Sequence, residues 1–218
     1  MILEHVKALS NQRIVLASAS PRRKDILRGV GINVQVVPSS FEENLDKSVF
    51  SRAAAYAQET ALQKAMEVAV RPWPQNEVPD LVIGADTVVD LDGSILEKPL
   101  HAEEAEAMLS RLSGRRHAVH TGVALILPSS QGEDGGPCTR SFTSTTAVEF
   151  DELSPAEIRA YIFTGEPFGK AGAYGIQGPA GAWVKRIEGC YFNVMGFPLH
   201  DFAAQIADLL QSGRLQVR

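Results

Sequence analysis

The chain has 218 residues, of which 44% are hydrophobic and 22% charged, and its formal net charge is −5. This composition is that of an ordinary globular protein, and the length suffices for one large α/β domain or for two small lobes that share a core. The acidic balance argues against binding to duplex nucleic acid, although a local basic cluster can still bind a small anion.

Neither a membrane span nor an export signal is evident in the sequence. No apolar run approaches the roughly 20 residues that a membrane helix requires, and the N-terminal residues MILEHVKALSNQ lack the apolar region of a signal peptide. Cys138 and Cys190 lie far apart and match no C-x-x-C pattern. We therefore expect a cytoplasmic protein with reduced thiols, with a single disulfide as the alternative.

The segment RIVLASASPRRKDIL, which begins at Arg13, predicts a strand that leads directly into a helix. Its apolar residues 14–16 indicate a buried strand, and the small residues after them indicate a tight turn. Ser20 is predicted to supply an N-cap oxygen, and Pro21 suits the first helical position. The helix should run from Pro21 to about Leu27 and stop at Gly29.

Two arginines in the first turn of this helix, Arg22 and Arg23, are electrostatically misplaced, because a helix N-terminus already carries partial positive charge. A bound anion would resolve the conflict. Together with the hydroxyls of Ser18 and Ser20, the two guanidinium groups predict a phosphate site. The alternative is a surface helix whose arginines point into water.

The next segments predict a strand, an acidic loop and a long helix. Residues 33–37 alternate and are β-branched, which is typical of a strand, and Glu43 lies in the acidic loop that follows. Such a carboxylate can bind a divalent metal or remain in solvent. Residues 51–70 form the clearest helix, with a stripe of alanines that would let it approach a sheet closely. Lys64 lies beside this stripe and either reaches into a cleft or is solvated.

An apolar strand over residues 81–85 is followed at once by Asp86 and Thr87. Ligands gather at strand ends in α/β sheets, and desolvation there suits a carboxylate to act as a base or a metal ligand. The alternative is an aspartate that caps a neighbouring turn. Residues 88–96 predict a hairpin across Asp92 and Gly93, which brings Lys98 to the same rim.

The rest of the chain predicts alternating helices and strands. We expect helices over 101–112, 155–163 and 198–210, strands over 119–127 and 141–150, and a last hairpin over 184–194. His117 and His120 lie on opposite faces of their strand and make a poor metal pair. The polar loop 129–137 has no chemical signature, and residues after about 211 are expected to form a tail or linker.

A glycine-rich segment over residues 165–183 indicates a backbone that turns sharply or approaches a ligand closely. Lys170 and Gln177 are the polar side chains that it can direct inward. The segment is not a P-loop, because no Ser or Thr follows Lys170 and the glycine spacing is wrong.

Taken together, these residues predict a basic, phosphate-sized cluster that contains one or two carboxylates. That chemistry suits the hydrolysis of a polyphosphate: cations neutralise the charged groups, a metal bridges phosphate oxygens, and an aspartate activates water.

Four blocks, LASASPRRKDIL, GADTVV, LEKP and EPFGKAGAYGIQG, occur in an order that resembles the signature of the Maf-like nucleotide pyrophosphatases. The resemblance runs from about Arg13 to Leu199. It implies an α/β fold with two lobes around a deep cleft, a central mixed β-sheet and flanking helices, related to the inosine-triphosphate pyrophosphatases. It also implies Mg²⁺- or Mn²⁺-dependent cleavage of a nucleoside triphosphate to the monophosphate and pyrophosphate.

The resemblance also implies roles for individual residues. The catalytic base matches Asp86, and the acidic position linked to metal matches Glu43. The phosphate-binding positions match Ser18, Ser20, Arg22, Arg23, Lys64 and Lys98. The specificity positions match Arg22, Thr87 and Gln177, which is the set of the subgroup that acts on dTTP and UTP, including modified uridine triphosphates.

Assembly is implied by the resemblance as well. A homodimer is expected by family analogy. The match is strongest to a vertebrate branch of the family in which a methyltransferase-like domain follows this module. On that basis we expect the present chain to be an excised domain, with any methyl-transfer activity outside it.

Two other functions are consistent with the sequence. One is a nucleotide-binding regulator with little catalysis, against which the combination of Asp86 and the basic cluster argues. The other is a purine pyrophosphatase of the inosine-triphosphate type, which competition between dTTP and inosine triphosphate would distinguish.

Overall fold

The computed structural model describes residues 2–131 and 136–216. Within these residues the strands are β1 (Ile14–Leu16), β2 (Gln35–Val36), β3 (Leu81–Leu91), β4 (Ser94–Leu96), β5 (Arg116–Gln131), β6 (Pro137–Phe150) and β7 (Val184–Glu188). The α-helices are α1 (Val6–Leu9), α2 (Pro21–Gly29), α3 (Ala53–Ala69), α4 (Ala102–Leu112), α5 (Pro155–Phe163), α6 (Tyr191–Met195) and α7 (Leu199–Gln211).

One mixed sheet contains all of these strands. Its order is β2-β1-β3-β5-β6-β7, and β4 also pairs with β3. β1 is parallel to both β2 and β3, whereas the remaining pairs are antiparallel. The prediction of an α/β fold with a central mixed sheet and flanking helices is confirmed.

The prediction that a strand ends before Asp86 is wrong, because β3 runs without a break from Leu81 to Leu91. One edge of β3 is shared by two partners. Residues 81–83 pair with β1 and residues 89–91 pair with β4. Residues 84–88 have no strand partner on that edge within the described chain, because β1 has already turned away towards α2. The strand end that the sequence suggested is therefore that of β1, and a gap opens in the sheet beside Asp86.

Two hydrophobic clusters lie on the same face of β3, one at each end. Leu81 and Ile83 belong to a cluster with α2 and α7, whereas Val89 and Leu91 belong to a cluster with α4 and α5. Thr87 stands between them, because alternate residues of a strand share a face. The polar boundary between the two clusters therefore coincides with the gap in the sheet.

The opposite face of the sheet is covered by α3, whose alanine stripe has the predicted function. Ala57, Ala61 and Ala65 are fully buried. A Cβ atom at Gly84 would lie 2.2 Å from the Ala61 carbonyl oxygen, and one at Gly122 would lie 2.3 Å from that of Ala57. Glycines in β3 and β5 and alanines in α3 thus allow backbone to approach backbone.

The predicted last hairpin is wrong in its second half. β7 ends at Glu188, and the segment expected to pair with it is the short helix α6. A mostly apolar segment of five residues does not distinguish a strand from a helix by its pattern alone. Buried Asn193 fixes the helix, since its Nδ2 donates to the Val119 carbonyl at 3.0 Å and to Thr146 Oγ1 at 3.1 Å.

The boundaries of other elements differ more modestly from the predictions. The second strand contains only residues 35 and 36, and β5 and β6 extend further towards the polar loop than expected. Residues 132–135 of that loop lie outside the described residues. Beyond α7, Leu215 is buried in the cluster with α2.

Cys138 and Cys190 are both free thiols, as expected. In the described residues, no helix combines the length and the apolar character needed to cross a membrane.

Candidate active site

A cleft of about 320 Å³ lies at the gap in the sheet, between the two hydrophobic clusters. All the residues that the sequence singled out for chemistry line it: Ser18, Ser20, Arg22, Arg23, Glu43, Lys64, Asp86, Thr87, Lys98, Lys170 and Gln177. They come from the turn after β1, from α2, α3 and β3, and from three loops. The fold therefore brings together every predicted site residue.

Buried charges meet at the base of this cleft. Lys64 and Asp86 are only 7% and 4% exposed. Lys64 Nζ lies 2.7 Å from Asp86 Oδ1 and 2.8 Å from Glu43 Oε1. Lys98 Nζ approaches the other oxygen of Glu43 at 3.5 Å from the exposed rim. Of the two alternatives for Lys64, the structure supports the cleft and excludes the solvated side chain.

The two carboxylates have opposite pKa shifts because they are buried to different depths. Burial raises the pKa of Asp86, although the charges of Lys64 and Arg23 act in the opposite direction. Burial alone would also raise the pKa of Glu43, but the charges and hydrogen bonds of Lys64 and Lys98 bring it below its ordinary value. The site thus contains one carboxylate with increased proton affinity and one that is held ionised.

The donor set fits a hard divalent cation. Glu43 and Asp86 both have a carboxylate oxygen within 2.8 Å of the same Lys64 nitrogen, so both can face one cation. The described residues contain no group of three or more His, Cys, Asp and Glu side chains that could hold a metal. Mg²⁺ typically binds one or two carboxylates and completes its coordination with water and substrate phosphates, which is what this pair permits.

The two adjacent arginines of α2 are directed differently. Arg22 is half-buried at the cleft, and its Nη2 lies 3.5 Å from the Gly169 carbonyl oxygen. Arg23 is buried and donates to the protein itself: Nε to the Gly196 carbonyl at 2.9 Å, Nη1 to Ser18 Oγ at 2.8 Å and Nη2 to Thr87 Oγ1 at 3.1 Å. Burial lowers the pKa of both guanidinium groups. Arg22 is thus available to an anion, whereas Arg23 mainly organises the wall of the cleft.

Ser20 does not cap α2 as predicted. It occupies the N-cap position, but its side chain accepts no hydrogen bond from the helix. Its own backbone N–H instead donates to Ser18 Oγ at 3.3 Å. The backbone of this turn is thus held by Ser18 and Arg23, so the Ser20 hydroxyl can face the cleft.

A directional chain of hydrogen bonds runs along the polar boundary between the clusters. Thr121 Oγ1 donates to the Asn193 carbonyl at 3.1 Å. Its only hydrogen is then used, so in the 3.0 Å contact between Thr87 and Thr121 the donor is Thr87. Thr87 also accepts from Arg23. The hydroxyl of Thr87 is therefore bonded on both sides within the protein.

The glycine-rich segment folds over one side of the cleft. Gly172 has a φ of +66°, and a Cβ there would lie 2.7 Å from a methyl group of Val89. Its N–H donates to the Glu97 carbonyl at 3.0 Å, which joins the segment to the loop after β4 that carries Lys98. Lys170 Nζ donates to the Glu166 carbonyl, and burial lowers its pKa. Gln177 is exposed at the mouth.

Sequence reasoning missed several residues that line or support the cleft. Apolar side chains form part of its wall, from Phe41, Val89, Val119, Tyr174, Val194 and Met195. In the sequence these residues have the patterns of ordinary core positions. Asn193 and Thr121 support the wall from beneath, and no spacing in the sequence relates them to Thr87.

The fold and the cleft define an α/β protein that presents cationic side chains and a buried carboxylate to a phosphate-sized space. A family model described as Maf-like protein matches residues 13–209. The chain belongs to the Maf-like family, and the resemblance found in its four sequence blocks is confirmed.

Three relatives illustrate the range of the family. A human protein named probable bifunctional dTTP/UTP pyrophosphatase/methyltransferase protein is 48% identical over 202 residues, which are 92% of this chain and 32% of the relative. The dTTP/UTP pyrophosphatase of Clostridium perfringens is 47% identical over 86% of this chain and 92% of the relative. The nucleoside triphosphate pyrophosphatase of Dictyostelium discoideum is 41% identical over 87% of each. This chain spans about a third of the human relative and nearly all of the others.

Proposed function

We propose that this chain is a nucleoside triphosphate pyrophosphatase that hydrolyses dTTP and UTP to the monophosphate and pyrophosphate. The observation that carries the proposal is the cluster of Asp86, Lys64 and Glu43 at the base of a cleft that Arg22 and Lys98 border. Membership of a family whose relatives are named dTTP/UTP pyrophosphatase supports the same reaction and substrates.

Phosphate binding is assigned to cationic side chains whose donors are not all used in contacts with the protein. Arg22 is half-buried and Lys98 is exposed, and both line the cleft. Lys170 lies in the glycine-rich segment close to Arg22, and its ammonium group donates to the Glu166 carbonyl. A triphosphate bound among these groups would receive charge-assisted hydrogen bonds. Ser18 and Ser20 add hydroxyls at the N-terminus of α2, where the helix dipole favours an anion.

Asp86 is assigned as the general base. Lys64 donates to its Oδ1, and we assign its other oxygen to the attacking water. As water attacks at the α–β phosphoanhydride, its proton passes to the Asp86 carboxylate, the phosphoanhydride P–O bond breaks and pyrophosphate leaves. The raised pKa of Asp86 favours this transfer, because a base is most effective when its pKa approaches the working pH.

A divalent metal, Mg²⁺ or Mn²⁺, is part of the proposal. Glu43 and Asp86 would hold it, and when bound it supplies charge neutralisation and polarisation of the phosphate oxygens. Lys64 lies between the same two carboxylates and offsets part of their charge.

Recognition of the substrate's pyrimidine ring is assigned to the mouth of the cleft and to its apolar wall. Val89, Val119 and Tyr174 offer a surface for a flat ring, and Gln177 offers an amide that can both donate and accept. Arg22 and Thr87 complete the specificity set. Modified pyrimidine triphosphates are further candidate substrates.

The decisive experiment measures pyrophosphate release from dTTP, UTP, CTP, GTP and inosine triphosphate, with and without Mg²⁺ or Mn²⁺. We expect metal-dependent turnover that is highest for dTTP and UTP. Preference for inosine triphosphate would indicate the purine enzyme instead. No turnover by folded protein that binds UTP would indicate a regulator. Cytoplasmic location and a homodimer stay predictions.

A further inference from the structure

The loop that carries Glu43 into the cleft has little regular structure. Between the end of β2 at Val36 and the short 3-10 turn Lys47–Val49, the chain forms neither helix nor strand. Pro38, Ser39, Phe41 and Glu43 of this loop nevertheless line the cleft. Backbone hydrogen bonds hold Val37 to the Leu16 carbonyl and Asn44 to the Glu42 carbonyl, and the other hydrogen bonds of this loop involve side chains.

Two of these contacts are made by one carboxylate of α3, Glu67, which does not line the cleft. Glu67 Oε2 accepts from Ser39 Oγ at 2.7 Å and from the Ser40 backbone N–H at 3.0 Å. Ser39 Oγ in turn accepts from the Phe41 backbone N–H at 3.0 Å. Glu67 thereby orders three consecutive residues of the loop.

Arg71, two residues beyond the C-terminal end of α3, holds Glu67 in place. Its Nε donates to Oε1 at 2.9 Å and its Nη2 to Oε2 at 2.8 Å, which is a two-pronged contact. The same Nη2 also donates to the Pro38 carbonyl at 3.1 Å. These hydrogen bonds, that of Arg71 foremost, lower the pKa of Glu67 to about 2. The carboxylate is thus ionised and oriented at neutral pH.

The far end of the loop is attached to the same helix face. Glu43 contacts Lys64 at 2.8 Å, and Lys64 lies three residues before Glu67 on α3. Residues three apart on a helix are neighbours. The loop is therefore joined to α3 twice, at Ser39 and Ser40 by Glu67 and at Glu43 by Lys64.

We propose that Glu67 is a positioning residue, which holds the Pro38–Glu43 loop so that Glu43 reaches the base of the cleft. The catalytic consequence rests on the proposed function, whereas the effect on the loop does not. Nothing in the position of Glu67 suggests a core role, since its side chain is about a quarter exposed and belongs to none of the hydrophobic clusters.

The test compares Glu67→Ala, Glu67→Gln and a control, Glu59→Ala. Glu59 also lies on α3, and it accepts from Gln63 at 2.7 Å, four residues on, without contacting the loop. Hydrogen exchange of residues 38–46 is measured on the nucleotide-free protein. Binding of a UTP analogue with a methylene bridge between the α- and β-phosphates, and kcat and KM for UTP, are measured separately.

In Glu67→Ala we expect hydrogen exchange in residues 38–46 to accelerate. KM for UTP should rise about tenfold, while kcat should change less than about threefold. The reason is that a less ordered loop weakens binding of the ground state and of the transition state alike. Glu67→Gln keeps an acceptor oxygen, so its exchange rates and its KM should lie between those of Glu67→Ala and the unmodified chain. Glu59→Ala should match the unmodified chain. Ser39→Ala combined with Glu67→Ala should add little to either single change, because the two groups act as one unit.

Unchanged exchange and unchanged analogue binding in Glu67→Ala would overturn the proposal, as would an equal effect of Glu59→Ala. If Glu67→Ala fails to fold, Glu67→Gln and Ser39→Ala decide in its place. A chain with no pyrophosphatase activity would refute the proposed function, while the exchange rates would still decide whether Glu67 holds the loop.

Discussion

Lys64 Nζ lies 2.7 Å from Asp86 Oδ1, and both side chains are almost completely buried. A buried pair of this kind loses its hydration, so it is tolerated only where each charge has close partners. Lys64 comes from α3, and Asp86 comes from the part of β3 that has no strand partner on one edge because β1 has ended. The alanine and glycine contacts that bring α3 onto the sheet therefore also set the distance between a buried acid and its cation.

Asp86→Asn should abolish most turnover while the fold is retained. Asparagine has nearly the same shape and can still accept from Lys64, but it cannot take a proton from water. Removal of a general base typically costs about 10²- to 10⁴-fold in rate. We expect kcat for UTP to fall within that range, with thermal unfolding changed by only a few degrees. Initial rates of pyrophosphate release and a melting curve test both parts.

A suitable control for this variant is Asp90→Asn. Asp90 lies four residues further along β3, where its Oδ1 accepts from the Gly93 N–H at 2.7 Å and it does not line the cleft. Its substitution should leave kcat nearly unchanged. Full activity in Asp86→Asn would eliminate Asp86 as the base.

Arg22→Ala should mainly weaken substrate binding, whereas Arg23→Lys should mainly reduce stability. Arg22 makes one long contact with the protein, so its loss should raise KM for UTP about tenfold and change the free energy of unfolding by less than about 0.5 kcal/mol. Arg23 donates to Ser18, Thr87 and Gly196. A lysine cannot reproduce that planar set of donors, so Arg23→Lys should cost about 2 kcal/mol.

Urea unfolding and steady-state kinetics on the two variants provide the measurement. Substrate selectivity is included, because Arg22 belongs to the proposed specificity set. The ratio of kcat/KM for UTP over CTP should fall in Arg22→Ala. A marginally stable Arg22→Ala with unchanged KM would show that Arg22 is a structural residue and would contradict its proposed role.

Gly84→Ala should be strongly destabilising. Its Cβ would lie 2.2 Å from the Ala61 carbonyl oxygen and 2.7 Å from the Ala65 Cβ, and neither can yield without moving α3 off the sheet. We expect a loss of about 2 to 3 kcal/mol. Gly29→Ala, in the last turn of α2 with nothing within 4 Å, is the control and should be neutral or slightly stabilising. Equal melting temperatures for the two variants would contradict this account of the packing.

Much of the fold could be read from local patterns because those patterns have local causes. The predicted helix over 155–163 is present, and Ser154 and Glu157 form a capping box at its start, which is a purely local cause. The position of Asp86 was harder to predict, because its own strand β3 continues past it and the strand that ends there is β1. Strand order and register depend on pairing between segments that are distant in sequence, and no local periodicity encodes them.

The sequence predicted which charged residues line the candidate site, but not how their side chains are arranged in it. Polar residues at predicted strand ends, helix starts and loops, together with Lys64 on its helix, include every charged group that lines the cleft in the described residues. Neighbours in sequence nevertheless differ in direction, since a helix turns by about 100° per residue. Arg22 therefore faces the cleft while Arg23 enters the wall. Glu67 escaped notice because an acidic residue four positions before an arginine, near the end of a helix, is typical of a solvated surface pair.

Stability should fall as the pH decreases from about 6.5 to 4, and buried His117 should account for part of the loss. His117 is 4% exposed, its Nε2 lies 2.9 Å from the Tyr174 hydroxyl, and its ring packs against that of Phe150. Burial lowers its pKa from 6.5 to about 4. The unfolded chain therefore binds a proton in this interval that the folded chain does not, so protonation favours unfolding.

This contribution is fully present above pH 6.5, is lost as the pH falls towards 4, and amounts to at most about 3 kcal/mol. Urea unfolding at several pH values should show a shallower dependence in His117→Gln than in the unmodified chain. His200→Gln, at an exposed position on α7, is the control. Carboxylates that titrate in the same interval are common to all three proteins, so the difference in slope isolates His117. Parallel curves for His117→Gln and the unmodified chain would show that this histidine does not resist protonation in the folded state.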